Sequence, residues 1–227
     1  MNIIKYLQAQ GVGSRKQCQI LLNEQRIRLN GKPPEEEVDI SVSHQLTIDE
    51  DNWQTMPLPY FYILMNKPAN YETSHKPQHY PSVFSLLPSH FRQTIQAIGR
   101  LDADTTGVLI LTNDGKLNHF LTSAKNHVPK QYRITLKHSA DDNLCSKLCD
   151  GVLLHDENET LSAKDAYLEN ENTLMMTIES GKYHQVKRMI ASAGNRVETL
   201  HRVRFGKIDT KGLAIGKWCF IQADEIY

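Results

Sequence analysis

The sequence predicts an α+β protein in two parts, and three observations carry that reading. Residues 1–32 pattern as two short helices followed by a strand and a turn. The stretch "EDNWQTMPLPY", residues 50–60, brings two acids and two prolines together and reads as a linker, with the boundary near 52–60. Beyond it, strand-like apolar runs alternate with short amphipathic helices, without the regular strand–helix–strand repeat of a parallel α/β sheet. The expected units are therefore 1–55 and 60–227.

The elements follow in order. Ile3, Ile4 and Leu7 mark one apolar helical face, and Gly11 and Gly13 break it. Ser14 and Gln17 form an S-x-x-Q capping box, which supplies partners to orphan amides at a helix start. Cys18, Leu21 and Leu22 give that helix its apolar side. Residues 26–29 alternate basic and apolar, then turn at Asn30-Gly31, a strong hairpin signal.

In the second part, strands are expected at 61–66, 107–112, 131–137 and 174–179, and helices at 115–123, 139–150 and 184–193. Ser139 is placed to cap the middle helix, whose apolar side holds Leu144, Cys145 and Leu148. Val186, Met189, Ile190 and Ala193 fall at i, i+3, i+4 and i+7, and Gly194 ends that helix. Lys187 and Arg188 flank the inward face, and periodicity does not tell their roles apart. Asn113-Asp114-Gly115 reads as a turn.

The chain has 227 residues, 40% of them apolar, and a formal net charge of zero. The charge is unevenly spread. Residues 1–32 carry Lys5, Arg15, Lys16, Arg26, Arg28 and Lys32 against Glu24, a balance of +5. Residues 180–217 carry nine Lys/Arg against Glu198 and Asp209, a balance of +7. Acids collect at 35–51 and 138–172. A zero total can thus present a basic face to nucleic acid.

No apolar run approaches the ~20 residues of a membrane helix, and "MNIIKYLQAQ" lacks the apolar core of a secretory signal. A cytoplasmic protein without membrane contact is expected. The four cysteines include no C-x-x-C pair, and Pro77 separates His75 from His79, so no metal is expected.

The stretch "GRLDADTTGVLILTNDG", from Gly99 to Gly115, suits three chemistries to different degrees. A calcium loop beginning at Asp102 needs Asp or Asn at its fifth position and Glu at its twelfth, where Thr106 and Asn113 stand. An aspartate-nucleophile phosphatase fits Asp102, Asp104 and Thr106 literally. It needs a buried parallel strand before Asp102, and "TIQAIGRL" is broken by Gln96, Gly99 and Arg100.

The same stretch resembles the catalytic motif of the pseudouridine synthases, in the branch that modifies ribosomal RNA. The resemblance continues in order through "MNKPANY", with Asn70 where the family has glycine. "KQYRITL" follows, then "SGKYHQVKRM", departing at Glu179-Ser180 and at Lys182, and finally "LHRVRFGKI". Asn tolerates a left-handed backbone, so the Asn70 turn is expected to survive. In the first part, "GVGSRKQCQILLNEQRIRLNGK" resembles the S-four-type RNA-binding domain, the alpha-L fold.

These resemblances imply a small RNA-binding domain joined to a catalytic domain with a long mixed, largely antiparallel sheet. They imply that Asp102 is the nucleophile, Lys187 its paired cation and Tyr132 the residue against the flipped base. Arg15, Lys16, Arg26, Arg28 and Lys32, together with Arg100, Arg188 and Arg202, are the expected RNA contacts. The reaction is an isomerisation with no net redox change, so no cofactor or metal is implied. The partner implied is ribosomal RNA or a pre-ribosomal particle, met by a monomer. "YHQVKRM" and "LHRVRFG" are most similar to the branch acting on small-subunit (16S) rRNA. A large-subunit rRNA enzyme, or a noncatalytic RNA-binding assembly protein on the same fold, are the alternatives.

Overall fold

The computed structural model describes residues 1–92, 94–154 and 159–227. They divide into two compact units, Met1–Phe61 with Ser85–Ile95, and Tyr62–Phe84 with Gln96–Tyr227. The sequence gives no sign that 85–95 belongs with the first unit. Among the described residues no helix is long and apolar enough to cross a membrane.

In the first unit, helix α1 (Ile3–Ala9) starts where the Asn2 side chain accepts from the Ile4 amide at 3.0 Å. Helix α2 (Arg15–Asn23) starts at the Ser14–Gln17 capping box. Strands β1 (Ile27–Leu29), β2 (Leu46–Ile48) and β3 (Asp51–Trp53) form an antiparallel sheet in that order. Ile3, Tyr6, Leu7, Cys18, Ile27 and Leu46 lie in its core.

Asn30 and Gly31 do turn, both with positive φ, but the hairpin stops at a single bridge, Leu29 to Lys32. Pro33 and Pro34 follow, and without amide protons they cannot extend a ladder. The partner of β1 is therefore Leu46–Ile48, beyond the acidic segment. Gln10 is buried, and both ends of its amide are bonded. Its amide nitrogen donates to the Met56 carbonyl at 2.9 Å, and its oxygen accepts from the Met56 amide at 2.6 Å.

The second unit contains β4 (Tyr62–Lys67), β5 (Gln96–Ile98), β6 (Thr106–Thr112), α3 (Gly115–Thr122), β7 (Lys130–Leu136), α4 (Asp142–Asp150), β8 (Val152–Leu154) and β9 (Glu159–Leu161). It continues with β10 (Asp165–Asn170), β11 (Thr173–Ile178), α5 (Gln185–Ser192), β12 (Val197–Phe205), β13 (Ile208–Asp209) and β14 (Trp218–Ile221). Nine strands make one sheet in the order β10-β11-β7-β12-β6-β4-β14, with β13 on β12 and β5 on β6. Among the described strand pairs only β12 with β6 is parallel. Strands β8 and β9 form a separate pair.

Strands β4 and β6 are buried on both faces. Ile63, Leu64 and Met65, and Val108 through Leu111, are all 0% exposed, which is why both read as unbroken apolar runs. Helix α4 is capped by Asp141, whose side chain accepts from the Asn143 amide at 3.1 Å, and not by Ser139. The expected helix was three residues too long at its start. Asp114 is more than a turn residue: it caps α3 by accepting from the Lys116 and Leu117 amides, and it accepts from the Tyr62 hydroxyl at 3.0 Å.

The parallel contact depends on Gly107. It has φ +104°, and a Cβ there would stand 2.2 Å from the Arg202 carbonyl oxygen. Gly107→Ala is expected to destabilise the second unit by about 3 kcal/mol or more, from left-handed strain plus overpacking. Thermal or urea unfolding measures it. A variant with a wild-type midpoint would show that β12 and β6 can separate at no cost.

Candidate active site

The loop from Gly99 to Thr105 runs between β5 and β6 and is fixed from several sides. Thr73 Oγ1 donates to the Leu101 carbonyl at 2.8 Å. The Asn70 amide donates to the Ala103 carbonyl at 2.7 Å, and Asn70 has φ +62°, the left-handed turn expected of it. The Thr105 amide closes the loop on the Asp102 carbonyl at 3.1 Å.

The strongest constraint is Lys67, at the end of β4, with its side chain wholly buried. Its Nζ donates to the carbonyls of Pro68 at 3.0 Å, Asp102 at 3.0 Å, Ala103 at 3.1 Å and Thr105 at 2.8 Å. Burial pushes its pKa down to about 8, against the opposing charges of Asp104 and Asp102.

Held this way, the loop presents the Asp102 carboxylate with 28% exposure. Lys187, on α5, brings its Nζ to 3.1 Å from Asp102 Oδ2. The same ammonium lies 2.7 and 2.9 Å from the two oxygens of Asp104. Burial alone would lower the Lys187 pKa, but the two carboxylates outweigh it and raise it. Burial likewise acts to raise the Asp104 carboxyl, and the Lys187 hydrogen bond holds it below its ordinary value.

His184 Nε2 stands 3.3 Å from Asp102 Oδ1. Arg188, the neighbour that periodicity could not separate from Lys187, instead donates to the Tyr183 carbonyl at 3.1 Å. The approach to α5 is fixed by buried Gln185, which accepts from the Lys182 amide and from Ser180 Oγ, both at 3.0 Å.

Asp102, Tyr132 and Lys187 line one cavity with Lys130, Leu200 and Arg202. Tyr132, on β7, is 7% exposed and sits opposite Arg202 of β12 in the sheet register. The Lys130 amine is also depressed to about 8, by burial first and then by Arg202. Arg202, expected from the sequence as an RNA contact, is 2% exposed. A side chain so enclosed is not an open phosphate-binding surface. Its Nε donates to the Val108 carbonyl at 2.7 Å, and its Nη2 is buried without a hydrogen-bond partner among the described residues.

The remaining expected RNA contacts are mostly open. Arg15, Lys16, Lys32 and Arg100 are exposed and Arg28 is half-buried. Arg26 is also exposed, but its guanidinium grips Asp49 through two bonds of 2.6 Å and Glu24 through one of 3.0 Å.

Sequence reading missed Lys67, Lys130 and His184 as site residues. The available signal for Lys67 was a lysine closing an apolar strand just before proline. Chemically, the site offers an aimed, ion-paired carboxylate at a cavity with a buried phenol and cationic walls. That suits nucleophilic attack on a polar ring system or its attached sugar.

The model of the RNA pseudouridylate synthase family matches residues 61–192. The chain is 33% identical to the ribosomal small subunit pseudouridine synthase A of Yersinia pestis, over all of this chain and 97% of that protein. It is 40% identical to the protein of the same name from Vibrio vulnificus, over 73% of this chain and 72% of the relative. A solved pseudouridylate synthase superposes with a TM-score of 0.70 at 29% identity, covering all of this chain and 98% of that one.

Lys67→Met keeps the approximate volume and removes the charge that satisfies the loop carbonyls. It is expected to cost about 3–5 kcal/mol and to speed hydrogen exchange at the Asn70 and Thr105 amides. The pH dependence has a definite sign. The folded pKa of about 8 lies below that of an unfolded lysine, ~10.4. The unfolded chain therefore holds this proton more tightly, and the fold gains stability from Lys67 as pH rises from about 8 toward 10. The stability gap between wild type and Lys67→Met should widen over that window. A gap that narrows would mean the folded lysine is not depressed.

Proposed function

The chain belongs to the RNA pseudouridylate synthase family, and from that premise we propose that it isomerises a uridine of small-subunit ribosomal RNA to pseudouridine, with Asp102 as nucleophile. The observation that carries the residue assignment is the Asp102 carboxylate at the cavity, 3.1 Å from Lys187, with Tyr132 lining the same cavity.

The reaction breaks the C1′–N1 bond of uridine, turns the base and joins C5 to C1′. The C5 proton leaves and N1 ends protonated, so atoms balance without a second substrate. A covalent tie through Asp102 would keep base and ribose together while the base turns. Lys187, ion-paired with the carboxylate at 3.1 Å, keeps it aimed. In this reading Tyr132 presents its ring to the flipped base and assists proton removal at C5. Flipping costs a few kcal/mol, least at an unpaired nucleotide, and stacking on an aromatic returns about 1–3 kcal/mol per base.

The names of these relatives support the small-subunit assignment. The acceptor is free ribosomal RNA or a pre-ribosomal particle in the cytoplasm, met by a monomer. The first unit serves as an RNA anchor through Arg15, Lys16, Arg28 and Lys32.

Asp102→Asn is expected to abolish tritium release from C5-labelled uridine in small-subunit rRNA, while fold and most RNA affinity persist. The amide is nearly isosteric but is not a carboxylate nucleophile. Substantial turnover by the folded variant would remove Asp102 from the chemistry.

For the anchor, Arg15→Ala, Lys16→Ala and Lys32→Ala should each flatten the log–log salt dependence of rRNA binding by about 0.7–0.9. Arg26→Ala should change it less, because that guanidinium is already held by Asp49 and Glu24. Unchanged slopes in all the first three would leave these residues a solvated face.

A further inference from the structure

A second cleft adjoins the cavity and shares the Asp102 wall. It is lined by Glu72–Ser74, Gly99–Ala103 and Gly181–His184. Its outstanding feature is Tyr183, an aromatic ring 69% exposed beside a polar site. The ring is not loose. It stacks on the His184 imidazole with centroids 3.8 Å apart and planes 22° from parallel. His184 in turn reaches Asp102 at 3.3 Å, and Arg188 donates to the Tyr183 carbonyl at 3.1 Å.

The backbone is committed to this arrangement. His184 occupies the N-cap of α5 with φ +49° and gives the helix no side-chain cap. A Ser or Asp would normally serve there. The position forgoes that stabilisation while its ring supports Tyr183 and contacts Asp102.

The facing walls are also fixed. Glu72 accepts from the amides of Gln78, His79 and Tyr80 at 3.0, 2.7 and 2.9 Å. Thr73 holds Leu101. Arg100 is exposed and makes no hydrogen bond or ion pair among the described residues. A pre-stacked aromatic with one open face, set near a free guanidinium, has the two elements of single-stranded nucleic acid binding.

We propose that this cleft is a second nucleotide subsite, which takes an unpaired nucleotide flanking the target uridine. Its base stacks on the open face of Tyr183 and its phosphate is drawn to Arg100. The inference rests on the cavity being a uridine site. Because both pockets share Asp102, what fills the cleft is continuous with the substrate strand that enters the cavity. Tyr183 acts here as a binding residue and takes no part in the bond changes.

The test uses the full chain, with Tyr183→Ala and Tyr183→Phe. The first readout is affinity for single-stranded oligouridylate, and the second is KM and kcat for tritium release from small-subunit rRNA. Tyr183→Ala should weaken oligouridylate binding roughly 5- to 150-fold, the range expected for losing one base–aromatic stack. It should raise KM by a similar factor, with a much smaller effect on kcat. Tyr183→Phe, which keeps the ring, should stay close to wild type.

Equal affinity and KM in Tyr183→Ala and wild type would overturn the subsite. A loss as large in Tyr183→Phe would overturn stacking as its basis. If wild type binds oligouridylate through Tyr183 but releases no tritium, the subsite stands and the uridine-isomerising reading fails. If tritium is released normally whatever residue stands at 183, the reverse holds.

Discussion

The Lys67 ammonium has three protons and faces four carbonyl oxygens, three of them from the Asp102 loop. A loop carrying a nucleophile cannot be left to solvent, because a mobile carboxylate loses the advantage of fixed orientation. Backbone carbonyls turned inward would normally be a cost. Here one buried cation satisfies them together, and their dipoles offset part of its desolvation. The remainder shows as the depressed lysine pKa, about 8. The direction of the Asp102 side chain, its reach to Lys187 and the opening of the cavity all follow from this clamp.

The sheet delivers the clamp to the right place. Lys67 pairs with Gly107 across β4 and β6, and Gly107 pairs with Arg202 across β6 and β12. Arg202 then pairs with Tyr132 across β12 and β7. Four adjacent strands thus set lysine, glycine, arginine and tyrosine in one row across the sheet. The loop nucleophile enters directly ahead of β6, and α5 supplies its cation. The glycine in that row has a steric cause: it is where two backbones approach too closely for a Cβ.

How far this was legible depends on the kind of signal. Strands β4, β6, β7 and β11 and helix α5 could be read because burial on one or both faces writes a period into the sequence. Strand β12, "VETLHRVRF", could not, since its central position is masked by charged residues, one of which is buried. The Asn30-Gly31 turn is legible, but the ladder after it ends at one bridge, because Pro33 and Pro34 have no amide protons to extend it. In the site, residue resemblance pointed to Asp102, Tyr132 and Lys187, and the fold brings all three to one cavity. His184 and Lys67 depend on how a loop closes in space, which no spacing along the chain encodes.

Charge shows the same gap between chain and space. The +7 balance of residues 180–217 suggests a basic face, yet at least six of its nine cations are engaged among the described residues, Arg188 through the Tyr183 carbonyl and five others as follows. Lys182 pairs with Glu159, Lys187 with Asp102 and Asp104, Arg204 with Asp209 and Lys211 with Glu225, and Arg202 is buried. The buried cations Lys67, Lys130 and Arg202 are screened little by salt and shape the site. Open ones such as Arg15, Lys16, Lys32 and Arg100 meet the ionic atmosphere and can exchange counterions for phosphate. A protein with no net charge can therefore bind a polyanion in a salt-dependent way, while the electrostatics of its chemistry stay largely insensitive to salt.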